Sequence, residues 1–148
     1  MSRHFHGTPR QERALSAYIK LLRASDTLHA EAMRSLADEG LSPSQFGVLE
    51  ALYHIGPMCL TDLAHKILKT SGNLTLVVGN LEKRGLVTRQ QQSHDRRFVS
   101  VAITEKGRKL MARIFPAHLE QIVEFMERLS PAQQDELGRL CRQLGKNQ

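Results

Sequence analysis

The 148-residue chain has no tryptophan, and phenylalanine and tyrosine make up only 5% of it. That leaves little material for the aromatic platforms on which single-stranded nucleic acid stacks. Cysteine is as scarce: Cys59 and Cys141, 82 positions apart, form no disulfide framework. No apolar run approaches the ~18 residues of a membrane span, and the opening MSRHFHGTPRQ lacks the apolar core of a signal peptide. No membrane partner is expected, and the cytoplasm is the expected location. A Gly-rich phosphate loop, a nucleophile elbow and a metalloprotease motif are all missing, so the chain does not read as an enzyme. The seven histidines are scattered, apart from His4 and His6, with none of the compact spacing of a zinc site, so neither metal nor cofactor is expected. No repeat or Pro/Gly/Ser linker divides the sequence. What is present, 41% hydrophobic and 24% charged residues, excludes a disordered chain and suits one domain that buries about two thirds of its unfolded surface.

The net charge of +6 is unevenly placed. Residues 60–110 hold ten basic residues against four acidic ones, while the other 97 residues hold eleven of each. A neutral frame with one basic segment is the footprint expected of a nucleic-acid binder.

Hydrophobic spacing locates the elements. Leu15, Tyr18, Ile19, Leu22, Leu28, Ala32 and Leu36 form a helical stripe over 11–37, closed by Gly40. Ser42-Pro43-Ser44-Gln45 starts a second helix with a capping box, and Gly56-Pro57 stops it. A short helix over 60–68 and another from Thr70 or Ser71 to Arg84, ended by Gly85, form a helix-turn-helix. The period then changes to two: strands over 86–92 and 98–104 flank the polar turn Ser93-His94-Asp95-Arg96-Arg97. A long helix over 105–129, which Pro116 should kink or interrupt, and a last one begun by Ser130-Pro131-Ala132-Gln133 complete the chain. The expected fold is mainly α with a small β-hairpin wing: a winged helix-turn-helix at 41–104, framed by terminal helices at 1–40 and 105–148.

In the second helix of that motif, Leu74, Val77, Val78 and Leu81 cluster on one face that must pack inward. The opposite face and its flanks present Asn73, Thr75, Leu76, Asn80 and Lys83. The amides and the hydroxyl can hydrogen-bond base edges, and Leu76 can touch a thymine methyl. Thr70 and Ser71, beside the free N–H groups of the helix start, suit a phosphate oxygen, with Lys83 and Arg84 as counter-charges. Gly79 lies on the same face, where the missing side chain allows close approach. An arginine-bearing hairpin tip can reach the adjacent minor groove.

From LADEGLSPSQ through SVAITEKG, the chain resembles the MarR family of winged-helix transcriptional regulators. The most specific parts are Leu81-Glu82-Lys83-Arg84-Gly85-Leu86-Val87, then Asp95-Arg96-Arg97, then Ile103-Thr104-Glu105-Lys106-Gly107. The resemblance implies a homodimer with intertwined terminal helices, addressing a pseudo-palindrome in double-stranded DNA, most simply as a repressor. It implies that Asp95 pairs with arginine to shape the wing, that Arg97 enters the minor groove and that Arg96 contacts backbone. Gly79 stands where such proteins usually carry an acidic residue.

Members of the family commonly release DNA on binding a small aromatic or phenolic effector, or on oxidation of a cysteine. Tyr18, His29, Met33, Phe46 and His54 are the candidates to line an effector pocket, as aromatic, polar and soft side chains on the helices that would bound it. The stretch Lys69–Thr75 also resembles a branch associated with catechols and quinones. Cys59, at the expected N-cap of the third helix with Asp62 as its partner, is the redox or electrophile-sensing candidate, whereas Cys141 lies on an apolar stripe. Two other classes stay open: a non-specific architectural DNA binder, and a winged helix used for protein contacts.

Overall fold

Three helices of this protein start on the same four-residue device, Ser/Thr-Pro-x-Gln. A computed structural model describes residues 5–67, 71–91 and 98–145, apart from the side chains of residues 71 and 72. The elements are α1 (Pro9–Ala37), α2 (Pro43–Ile55), β1 (Met58–Cys59), α3 (Leu60–Ile67), α4 (Ser71–Lys83), β2 (Val87–Gln91), β3 (Val99–Ile103), α5 (Glu105–Met126) and α6 (Pro131–Gly145).

At α2, Gln45 N–H donates to Ser42 Oγ at 3.1 Å and Ser42 N–H to Gln45 Oε1 at 3.0 Å. Ser130 and Gln133 repeat this reciprocal box at α6, with bonds of 3.3 and 2.9 Å. Thr8 and Gln11 form it a third time, at 3.3 and 2.9 Å. Proline at the first helical position costs no hydrogen bond there. The first helix therefore begins at Pro9, two residues before its apolar stripe suggests.

Two helices end on left-handed glycines, Gly40 (φ 66°) and Gly85 (φ 74°). Leu41 N–H reaches Leu36 O and Leu86 N–H reaches Leu81 O, each satisfying a carbonyl at the helix end. α5 runs through Pro116 without interruption. The expected break does not occur because Pro116 and Ala112, whose carbonyl loses its partner, both face solvent, while Met111, Ile114 and His118 anchor the buried side.

The chain divides into two compact units, residues 35–119, and residues 1–34 with 120–148. In the first, Leu36, Phe46, Leu49 and Leu52 share a core with Leu63, Leu74, Val78, Leu81, Val101 and Met111. Each such side chain contributes about 1.5–3 kcal/mol on full burial. The sheet order is β1-β3-β2, all antiparallel. The hairpin register runs from Val87 opposite Ile103 to Gln91 opposite Val99, one residue shorter at the root than the alternation suggests. β1, pairing Met58 with Val101 and Cys59 with Ser100, is a third strand that two residues of sequence do not reveal.

The second unit is different. α6 buries no residue, and Tyr18, Leu22, Val123, Leu137, Leu140 and Leu144 are all exposed. The apolar stripes read from the sequence are there, but within one chain these parts of them have no cover. No helix among the described residues is long and apolar enough to cross a membrane.

Candidate nucleic-acid interface

α3 and α4 carry the helix-turn-helix, and burial sorts their residues. Leu63 and Ala64 of α3, and Leu74, Val78 and Leu81 of α4, are buried; Val77 is half-buried. Asn73, Thr75, Leu76, Asn80 and Lys83 are exposed, so the two faces of α4 fall where the 100° spacing puts them. Leu76, at 64% exposure, is the large apolar residue of that outer face. Thr70, Asp95, Arg96 and Arg97 lie outside the described residues, as does the side chain of Ser71.

A Cβ built on Gly79 meets nothing within 4 Å, and the residue lies in a helix interior, where glycine costs about 1 kcal/mol relative to alanine. Gly79→Ala is therefore expected to raise stability by about 0.5–1 kcal/mol in urea titration. If the bare backbone is there for close approach to DNA, the same variant binds DNA more weakly; unchanged affinity rejects that role.

Arg84, read from the sequence as a phosphate counter-charge, also has a task within the fold. Its guanidinium donates to Gly40 O at 2.9 Å and Glu39 O at 3.1 Å, clasping the turn between α1 and α2. Lys106 Nζ in turn donates to Arg84 O at 2.8 Å. These bonds span 44, 45 and 22 positions, separations that no local pattern announces.

Sequence reasoning also missed the fastening of the wing to α4. Arg89 on β2 meets Glu82 on α4 through its backbone N–H at 3.1 Å, its Nε at 3.3 Å and its Nη2 at 3.0 Å. The α4 helix and the first wing strand are thus held in one orientation. Phe98, the first described residue after the tip, is exposed.

Hydrogen bonds from the Arg89 guanidinium, with its charge, hold the Glu82 carboxyl below the usual carboxylate range. Arg113, bidentate to Glu39 at 2.7 and 2.8 Å, does the same there. Depressed folded values mean that the stability from both pairs is complete above the ordinary pKa of about 4.3 and is lost as pH falls through the folded values. Between pH 5 and 3, a Glu39→Gln/Glu82→Gln protein is expected to lose less of its melting temperature than the parent. Equal acid slopes count against the pairs. Both are solvent-exposed, so the difference is modest.

The effector candidates are divided between the two compact units. Phe46 is buried and packs on His118 with ring centroids 4.5 Å apart. His54 packs edge-on against Phe115 at 4.6 Å and Tyr53 at 5.0 Å. Phe115 and His118, 6.3 Å apart, link these into one aromatic row within residues 35–119. Tyr18 and His29, both exposed, and half-buried Met33 belong to the other unit. His118, only 3% exposed, is the missed member; its spacing from Met111 and Ile114 on the buried stripe of α5 was the available signal.

Cys59 caps α3 as expected, its Sγ accepting the Asp62 N–H at 3.5 Å. Cys59 and Cys141 are both half-buried free thiols. Among the described residues no group of three His, Cys, Asp or Glu could hold a metal ion.

Residues 41–99, from the turn before α2 to the first residue of β3, match the model of the MarR family. Over 136 residues the chain is 36% identical to the HTH-type transcriptional regulator MhqR of Bacillus subtilis (strain 168), covering 92% of this chain and 94% of that relative. It is also similar to the solved structure of Sco3205, a MarR family transcriptional regulator from Streptomyces coelicolor in complex with DNA. There the identity is 25% and the TM-score 0.84, over 97% of this chain and 91% of that one. A second solved structure is Bordetella bronchiseptica BpsR, studied for regulation of its DNA binding by 6-hydroxynicotinic acid. It shows 28% identity and a TM-score of 0.80, over 88% of this chain and 99% of that one. With more than nine tenths of both sequences aligned to a transcriptional regulator at this identity, the chain belongs to the MarR family, whose members are transcriptional regulators and not enzymes.

Proposed function

We propose that this protein is a cytoplasmic homodimeric repressor that binds a pseudo-palindromic operator and loses affinity when a small aromatic or phenolic effector binds. The observation that carries the DNA reading is the sorting of α4. Leu74, Val78 and Leu81 of its apolar face are buried and Val77 half-buried, while Asn73, Thr75, Leu76, Asn80 and Lys83 face outward beside a wing fastened by Glu82 and Arg89. In this reading Asn73, Thr75 and Asn80 address base edges, Leu76 a thymine methyl, and Thr70, Ser71 and Lys83 the phosphates. Arg96 and Arg97 act at the wing tip that Asp95 shapes, and Arg84 supports α4 from behind. Sco3205, solved with DNA, is consistent with that use of the fold.

The dimer is supported by the uncovered apolar residues of α1, α5 and α6, Leu144 being 71% exposed. A second copy offers the same surface and covers both. For the effector, BpsR supplies the precedent of an aromatic acid. Phe46 and His54, joined in the aromatic row, are the residues here suited to a ring with a polar substituent.

Selection of DNA from a random pool, followed by competition titration of the purified protein, tests the reading. A repressor prefers one palindrome by ~10³ or more over random duplex, with half-site centres about 10 bp apart. Sedimentation should show two chains per duplex. Equal affinity for all duplexes identifies an architectural binder instead, and no binding at low salt identifies a protein-contact module. Titrating a panel of aromatic acids and phenols into the complex then tests the effector: release by none of them removes that part of the proposal.

A further inference from the structure

Behind the helix-turn-helix, within residues 35–119, a depression of about 430 Å³ is lined by Arg84, Lys106, Lys109, Arg113 and one carboxylate, Glu39. Three of the four cations are fixed in place: Arg84 by two carbonyls, Lys106 by a third and Arg113 by Glu39. Lys109 is exposed and pairs with no carboxylate among the described residues. Carbonyl oxygens satisfy donors without cancelling charge, so these five side chains keep a formal charge of three positive units. The C-terminal ends of α1 and α4, which Arg84 and Lys106 cap, offset about half a unit each. The depression stays clearly positive.

The donors are also not used up. A guanidinium has five N–H groups and an ammonium three; Arg84 and Arg113 each spend two, and Lys106 one. Cations already held in position lose little freedom when they take up an anion. A single carboxylate leaves much of the charge unmet. A phosphate group brings about −1.5 to −2 and three acceptor oxygens, the better match for four cations arriving from two segments, the end of α4 and the first turns of α5.

This place is not the wing tip. Leu86 and Lys106 put it at the root of the hairpin, while the tip follows Gln91, four residues beyond Val87 and about 13 Å along the strand. We propose that this depression is a second anion site, distinct from the DNA-contacting face, which takes a phosphate-class oxyanion, either free or as the phosphate of a small ester.

The test is a titration of the full chain, without DNA, by inorganic phosphate, pyrophosphate and a simple phosphate monoester at constant ionic strength in chloride, followed by amide NMR. Saturable shifts are expected at residues 84–86 and 106–113, with pyrophosphate binding more tightly than phosphate. If the monoester binds more tightly than free phosphate, the source is an ester; the reverse order points to the free ion. Lys109→Gln should weaken the response about 3-fold, the scale of one exposed ion pair, and Lys109→Glu should weaken it further. Both variants should keep the parent's melting temperature and DNA affinity, because Lys109 is exposed and away from α4's outer face. Shifts confined to the outer face of α4 or to the wing strands, or a response that Lys109→Glu leaves unchanged, overturn the proposal.

Discussion

Replacing Gly107 with alanine is expected to destabilise the protein by about 3 kcal/mol, the upper end for overpacking a well-packed site. A Cβ on Gly107 lies 2.3 Å from Leu86 O and 2.7 Å from Ile103 Cγ1. The first of these is backbone and cannot rotate away. It is also committed, since Leu86 O accepts the Thr104 N–H at 3.0 Å. Thr104 completes the lock: its hydroxyl donates to Gly85 O at 2.6 Å and accepts the Gly107 N–H at 3.1 Å. The start of α5, the end of α4 and the root of the wing therefore meet at one point, and only a residue without a side chain fits there. Urea titration of Gly107→Ala beside Gly79→Ala gives opposite signs if this is right: open space at Gly79 and a backbone clash at Gly107. A Gly107→Ala protein within about 0.5 kcal/mol of the parent, the range of an ordinary surface change, refutes the lock.

That point shows what a linear pattern carries. Ile103-Thr104-Glu105-Lys106-Gly107 stood out in the sequence only through its resemblance to a family, and its reason is a contact across about twenty residues to the Gly85 turn. The short-range devices were legible because the chemistry is local. The capping boxes at Ser42 and Ser130 and the two faces of α4 follow from spacing alone. Even there the box at Thr8 went unread, since its helix is apolar only from Leu15 onward. The long-range bonds left no trace. Glu39 and Arg113 are 74 positions apart, and Arg84 is a basic residue in a basic stretch whose use on the carbonyls of Glu39 and Gly40 depends on the tertiary fold. The aromatic row was half legible: Phe46 and His54 were candidates, while Phe115 and His118 emerge when α5 lies against α2.

Replacing Arg97 with alanine is expected to weaken operator binding about 30-fold or more while leaving the fold and the dimer intact. In the proposed function each wing inserts one arginine into the minor groove, where a side chain of this kind contributes about 1–3 kcal/mol. A dimer has two wings, so at least about 2 kcal/mol is at stake. The salt dependence separates this from a general loss of charge. Each arginine neutralising a phosphate contributes about 0.9 to the slope of log affinity against log salt, so the variant's slope should fall by up to about 1.8 per dimer. Glu82→Gln provides the contrast. It keeps Arg97 but removes the carboxylate that receives Arg89, so it loosens the wing without discharging its tip. Anisotropy titrations at several salt concentrations should therefore show weaker binding in both variants, with the slope lowered in Arg97→Ala and retained in Glu82→Gln. If Arg97→Ala binds its operator like the parent, the wing takes no part in recognition and α4 alone carries the affinity. If instead both slopes fall together, Arg97 acts only once the Glu82–Arg89 pair has set the wing, and the tip and its root work as one unit.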